Sequence, residues 1–142
     1  MAKEIKKNTL LSWSKGGAEI IAKVEEILDQ VGEQAIESVQ IIGAASEAIS
    51  FGDVTGDAHL AFKNLATPYG KLTVAQKALY TSQVDYDAKN TVYVGTSNPV
   101  TAANAEHKLT PGGSAGPFIS ALAWYGINAV NDVNLLVVAI EV

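Results

Sequence analysis

Cysteine and arginine are both absent from this chain of 142 residues. Without cysteine there is no thiol nucleophile, no thiolate zinc site and no disulfide, and the redox compartment is left open. Stability must then come from an apolar core, which a chain of this length can supply, since a domain of about 150 residues buries roughly 68–70% of its unfolded surface. Without arginine, all ten basic residues are lysine, and the net charge is −5. Proteins that read nucleic acid carry basic patches and rely on the guanidinium fork for phosphate and guanine. An acidic chain with no guanidinium is not built for that work, so no nucleic-acid partner is expected. Long apolar runs are missing too. No segment approaches the roughly 18 residues that a membrane-spanning helix requires, and the first residues lack the apolar centre of a signal peptide. Synthesis in a cytoplasm and no membrane partner are the expectations.

What is present is a β-rich pattern cut by turn residues. The length predicts one domain, with residues 1–7 as a charged leader and residues 8–142 as the folded unit. Asn8–Ser14 reads as a first strand, ended by Lys15-Gly16-Gly17. Ala18–Val31 reads two ways. Ile20, Ile21, Val24, Ile27, Leu28 and Val31 recur at near-helical spacing, while Ile20, Ala22 and Val24 also alternate with charged residues as a strand would, broken only by Ile21. Ile36–Ile42 is a Val/Ile-rich strand ending at Gly43. Glu47–Phe51 and Ala58–Leu65 alternate on either side of a Gly/Asp turn and are predicted to form a hairpin. Leu72–Val74 and Ala78–Thr81 read as short, weak strands, and Asp85–Asn90 as a polar connector. Val92-Tyr93-Val94 and the Pro111-Gly112-Gly113 turn frame a further hairpin. Phe118–Ile127 is apolar and aromatic, and Leu135–Ile140 is a continuous apolar run of the kind a strand buried on both faces shows. Many short strands with Gly, Pro and Asn between them predict a mainly β fold, an antiparallel, jelly-roll-like β-sandwich with room for one short N-terminal helix.

Residues that could carry chemistry have plainer readings. Gly112–Gly116 matches G-x-S-x-G around Ser114. A nucleophile elbow needs a strand before the serine, a helix after it and a histidine later in the chain. Pro117 follows at once, and His59 and His107 both precede Ser114, so a glycine-rich turn is the expectation. His59 lies near Asp53 and Asp57, but zinc catalysis needs three protein ligands at workable spacing, and the two aspartates suit turns. Glu25 and Glu26 are adjacent and so share no face. Trp13, Trp124 and Tyr125 could form a ligand platform, but core packing is the commoner fate of such residues. Lys63 beside Asn64 could in principle form an isopeptide link, given an acid to activate it. No catalytic residue, metal or cofactor is expected.

Three stretches carry a resemblance. They are Glu37–Gly43 with Glu47-Ala48, Phe51–Leu65, and Val92–Pro117. Within them Asp53-Val54, Lys63-Asn64-Leu65, Tyr93-Val94-Gly95 and Leu109-Thr110-Pro111-Gly112-Gly113-Ser114 occur in an order similar to that in small virion structural proteins of tailed bacteriophages, of the capsid decoration or minor head protein type. The chain departs from that pattern at Ala18–Val31 and in the loop Ala66-Thr67-Pro68-Tyr69. The resemblance implies a noncatalytic protein of the virion that docks in many copies on the capsid exterior. Its partners would be the major capsid protein or other virion proteins, with self-association, and its charged leader would dock on the shell or on a neighbouring copy. Two other expectations stand beside it. One is a tail or fibre module that binds a host receptor or glycan through exposed Tyr69, Tyr80 and Tyr86; the other is a hydrolase using Ser114.

Overall fold

The computed structural model describes residues 35–128 and 130–142. The leader, the strand expected at Asn8–Ser14, the two-way segment Ala18–Val31, and the readings of Trp13, Glu25 and Glu26 lie outside the described residues. Eight strands follow in the described part: β1 (Ala35–Ile42), β2 (Glu47–Ala48), β3 (Asp57–Asn64), β4 (Val92–Gly95), β5 (His107–Leu109), β6 (Ser114–Ala121), β7 (Tyr125–Ile127) and β8 (Val133–Glu141). Between β3 and β4 lie a 3-10 turn (Tyr69–Lys71) and two short helices, α1 (Val74–Lys77) and α2 (Gln83–Asn90). The fold is mainly β, as the sequence predicts.

The strands form two antiparallel four-stranded sheets, in the orders β1-β8-β3-β6 and β2-β7-β4-β5. Four pairs are nested in the chain: β1 with β8, β2 with β7, β3 with β6 and β4 with β5. Two more, β3 with β8 and β4 with β7, join these ribbons side by side. Ile42, Leu60, Phe62, Leu135 and Val137 of the first sheet and Val92, Val94 and Leu109 of the second belong to one buried apolar cluster. The sheets therefore pack face to face, as in a β-sandwich. Gly126 shows how close they come, because a Cβ there would stand 3.1 Å from the Ile42 side chain.

Phe62 is the centre of this core. It is fully buried, with ring centroids 6.4 Å from Phe51, 6.0 Å from Phe118 and 5.7 Å from Trp124. The tilted rings suit the quadrupole preference for offset and edge contacts. The indole nitrogen of Trp124 donates to Ser120 Oγ at 2.8 Å, so the polar end of that ring is also satisfied. At the open side, Gln40 of β1 donates to Ala48 O and accepts from Ser50 N, both at 2.9 Å, and so joins an edge strand of each sheet.

Several sequence expectations are corrected. Glu47–Phe51 and Ala58–Leu65 do not form a hairpin: β2 pairs with β7 and β3 with β6 and β8, in different sheets. Alternation marks a strand but says nothing about which partner takes its hydrogen bonds. Leu72–Val74 and Ala78–Thr81 contain no strand, and Asp85–Asn90 belongs to α2. Here local capping decides. Thr73 Oγ1 accepts from Gln76 N while Gln76 Oε1 accepts from Thr73 N, a complete capping box, and Ser82 Oγ accepts from Asp85 N. Phe118–Ile127 is divided between β6 and β7, which lie in different sheets. β4 pairs with β5, with Val92 opposite Leu109 and Val94 opposite His107, but the Pro111-Gly112-Gly113 turn expected to frame the hairpin lies beyond β5 and leads to β6 in the other sheet.

The register of β3 against β6 shifts between Leu60 and Phe62. Gly116 lies in this bulge at φ +98, where a Cβ would meet Leu60 O at 2.4 Å. Gly116→Ala is expected to cost more than about 3 kcal/mol, from left-handed strain plus a backbone collision. Gly56→Ala, at φ +71 but with nothing within 4 Å of the new methyl, is expected to cost about 1 kcal/mol. Urea unfolding of the two variants measures both.

Candidate functional site

The residues that carry the resemblance meet at one end of the sandwich. Asn64, the last residue of β3, is fully buried. Its backbone N–H donates to Gly113 O at 2.9 Å, and its carbonyl accepts from Gly112 N at 3.1 Å. Its side-chain nitrogen donates to Asn90 O and Leu109 O, each at 2.8 Å, and its Oδ1 accepts from Ala66 N at 2.9 Å. One residue thus ties together the end of β3, the end of α2 and the end of β5 through its side-chain amide, and the Pro-Gly-Gly turn through its backbone. Asn90 continues the network, donating to Tyr86 O at 2.9 Å and accepting from Asn131 Nδ2 at 3.3 Å. Asn128, also fully buried, donates to Thr91 O at 2.6 Å and accepts from the N–H groups of Val130 and Asn131. The Lys63-Asn64-Leu65 and Pro111-Gly112-Gly113 motifs are therefore two halves of one structural joint.

Beside the joint lies a cleft of about 410 Å³, lined in part by Lys63, Leu65, Pro68, Lys71, Pro111 and Gly112. Burial, and then the charge of Lys71, hold the Lys63 ammonium below its usual pKa. The cleft carries two lysine side chains. It does not support an isopeptide link between Lys63 and Asn64. Neighbours on a strand point to opposite faces, and the Asn64 amide is already engaged three times.

The structure separates the other candidates. Ser114 is the first residue of β6, and a strand rather than a helix follows it, so no nucleophile elbow is formed. The expected turn is confined to the residues just before it. In register Ser114 faces Lys63, and it is not among the residues lining the cleft. His107 stacks on two aromatic rings that touch each other, with centroids 5.2 Å from Phe118 and 5.8 Å from Trp124. His59 is half-buried on β3, and Asp53 is exposed in the preceding turn. Among the described residues no three His, Asp or Glu side chains are grouped as a metal would require. Trp124 packs in the core and Tyr125 is half-buried on β7.

Tyr69, Tyr80 and Tyr86 do come together, but not as three exposed rings. Tyr86 is buried, 4.7 Å from Tyr80 and 5.8 Å from Tyr69, and its hydroxyl donates to Thr67 O at 2.5 Å. Burial is the main cause that pushes its pKa up. Lys77 and Lys89 lie over Tyr69 and Tyr80 at 5.2 and 5.8 Å. The cluster is a small satellite core that holds α1 and α2 against the sandwich. What this excursion leaves open is aliphatic: Val74, Leu79 and Val84 are 87%, 75% and 79% exposed. Sequence reading missed these three, and the capping signals Thr73–Gln76 and Ser82–Asp85 could have found the turns that present them.

No family model, curated protein or solved structure matches this chain.

Two predictions follow from the buried polar groups. Replacing Asn64 with Ala leaves two buried carbonyls without donors, at about 1–3 kcal/mol each. Asn64→Ala is therefore expected to lose about 3–5 kcal/mol, against less than about 1 kcal/mol for Asn104→Ala on the exposed loop. Urea midpoints measure the contrast. Glu37 of β1 has a buried carboxylate oxygen with no hydrogen-bond partner among the described residues, and burial holds its pKa above the usual range. The folded state thus binds this proton more tightly than the unfolded chain. Stability falls as pH rises from the unfolded carboxylate pKa, about 4.3, through the raised folded value. Glu37→Gln is expected to melt higher than the parent at pH 7, with the gap closing toward pH 4. A gap that stays constant with pH refutes the assignment.

Proposed function

We propose that this chain is a noncatalytic structural protein of a tailed-phage particle, docking in many copies on the capsid exterior. The observation that carries the reading is the pairing of the strands. Four nested antiparallel ribbons, with β8 also meeting β3 and β7 also meeting β4, are compatible with a jelly-roll winding. That architecture recurs in viral capsid and lectin domains. Architecture alone does not decide function, so the surface has to be considered as well. Val74, Leu79 and Val84 are three nearly bare aliphatic side chains within one short excursion. Single exposed aliphatics are ordinary, whereas several on one element mark a contact surface. The partner that fits is an apolar patch on the major capsid protein or a neighbouring copy. Each contact is small, and repetition over a symmetric lattice makes the sum effective. The residues that the resemblance rests on form a buried joint, which fits a role in shape rather than in chemistry. Synthesis in the host cytoplasm and residence in the virion belong to the same reading. The packing of Tyr86 weakens the tail or fibre alternative, which needs all three tyrosines at the surface.

Quantitative mass spectrometry of purified particles tests the proposal. Many copies per particle are expected, and a single copy defeats it. Val74→Ser, Leu79→Ser and Val84→Ser together are expected to reduce occupancy at least about tenfold, the equivalent of about 1.4 kcal/mol per docked copy. The melting temperature should hardly change, because all three positions are already exposed.

A further inference from the structure

The two ends of the sandwich carry opposite features. β3 runs from Asp57 to Asn64, about 25 Å at 3.2–3.4 Å per residue. The β3–β4 excursion, on which Val74, Leu79 and Val84 are bare, starts beyond Asn64. At the other end, where Asp57 pairs with Ala121, lies a cleft of about 550 Å³. Ile49, Phe51, Val54, Ala121, Leu122 and Ala123 line it, and Thr55 is its only polar side chain among the described residues. The volume falls in the roughly 300–1,000 Å³ range of pockets that bury a small ligand, so a leucine and a valine side chain fit into it together. Charge separates the two ends as well. Segments 43–57 and 121–124, which build the cleft and its rim, hold Glu47, Asp53 and Asp57 and no lysine. All three acids are exposed. The excursion, segment 65–91, holds Lys71, Lys77 and Lys89 against Asp85 and Asp87, and Lys89 is paired with Asp85 at 3.2 Å. An apolar tip with an excess of lysine thus stands at one end, and an apolar hollow rimmed by acids at the other.

The geometry points to head-to-tail self-association, in which Leu79 and Val84 of one copy seat in the Phe51–Leu122 cleft of the next. This rests on the reading of the excursion as a contact surface and fixes its partner as a second copy of this chain. The same observations disfavour the two symmetric contacts. Tip against tip brings Lys71 and Lys77 to face their own kind, and cleft against cleft sets three acids against three around two hollows. Like charges facing each other across an interface cost affinity. Tip in cleft covers apolar surface on both copies and sets lysine beside aspartate. Such a contact uses a different patch on each copy, so every dimer keeps one open tip and one open cleft. It closes into a ring or continues as a filament according to the rotation between neighbours.

Sedimentation velocity of the full chain tests this. The parent is expected to grow past a dimer as its concentration rises, and a parent that stays monomeric at every soluble concentration overturns the proposal. Leu79→Ser with Val84→Ser disables the tip, and Ala121→Lys with Ala123→Lys blocks the cleft. All four positions are exposed, where substitution barely changes stability. Each double is expected to weaken self-association at least about tenfold. Mixed in equal amounts, the two doubles share one intact tip and one intact cleft, so a dimer returns that grows no further. A cleft double that associates like the parent, or a mixture that stays monomeric, overturns the head-to-tail contact. If particle occupancy is still lost on removing the three aliphatics, the docking reading survives that result. The absence of cysteine allows a second measurement. Leu79→Cys chains mixed with Thr55→Cys chains and a short bismaleimide are expected to give a cross-linked dimer that neither gives alone. Equal yields from the single variants overturn the proposal.

Discussion

The constraint on which this fold depends is the double burial of its last strand. β8 is hydrogen-bonded on both sides, to β1 and to β3, and six consecutive residues, Leu135–Ile140, are buried. A strand in that position has no solvated face, so its alternate residues need two separate apolar layers. One layer is the sandwich core around Phe62. The other set, Leu136, Val138 and Ile140, is buried on the outer side. Both sets of contacts reach far along the sequence, since β1 and β3 precede β8 by most of the described chain. A fold centred on such a strand forms through non-local contacts, which is slow in general. Its last-made strand is the one that completes the first sheet.

The asparagine network solves a different difficulty. Where loops cross the end of a sandwich, backbone carbonyls are turned inward, away from the ladder, and each needs a donor. Asn64 supplies two N–H groups to such carbonyls and accepts a third bond with its own oxygen. Asn128 does the same work nearby. Short amide side chains suit this task because they carry both donors and acceptors on a stiff arm. The Pro-Gly-Gly turn is then fixed by the ladder bonds Asn64 makes with Gly112 and Gly113. This also explains why an apparent serine motif sits there. The glycines serve the turn, and Ser114 is merely where the next strand begins.

How much of this was legible in the sequence follows from how local each cause is. The apolar run Leu135–Ile140 announced a strand buried on both faces, because no other short element needs apolar residues at both parities. The strand at Val92-Tyr93-Val94 was legible as well, but the hairpin expected at Pro111-Gly112-Gly113 was not, because that turn joins β5 to β6 across the two sheets. The supposed hairpin of Glu47–Phe51 with Ala58–Leu65 failed because pairing partners are chosen by the winding of the whole chain. The helices α1 and α2 failed because they are short and mostly polar, so periodicity says little, while their caps are single residues easily read as loop. The joint at Asn64 was half legible. Its two motifs stood out in the sequence, but a buried asparagine looks the same on paper as one in a solvated turn.

The division of labour between the two ends of the β3–β4 excursion bears on function. Its aromatic residues face inward, where Tyr69, Tyr80 and Tyr86 pack on one another and Tyr86 is bonded to Thr67. Its aliphatic residues Val74, Leu79 and Val84 face outward. A chain selected only to stay soluble would place these the other way round, or replace the aliphatics with charge. The excursion also has a rigid base, since α2 ends at Asn90, whose carbonyl and side chain are both held in the network. A fixed base with an apolar tip loses little conformational freedom when the tip is covered.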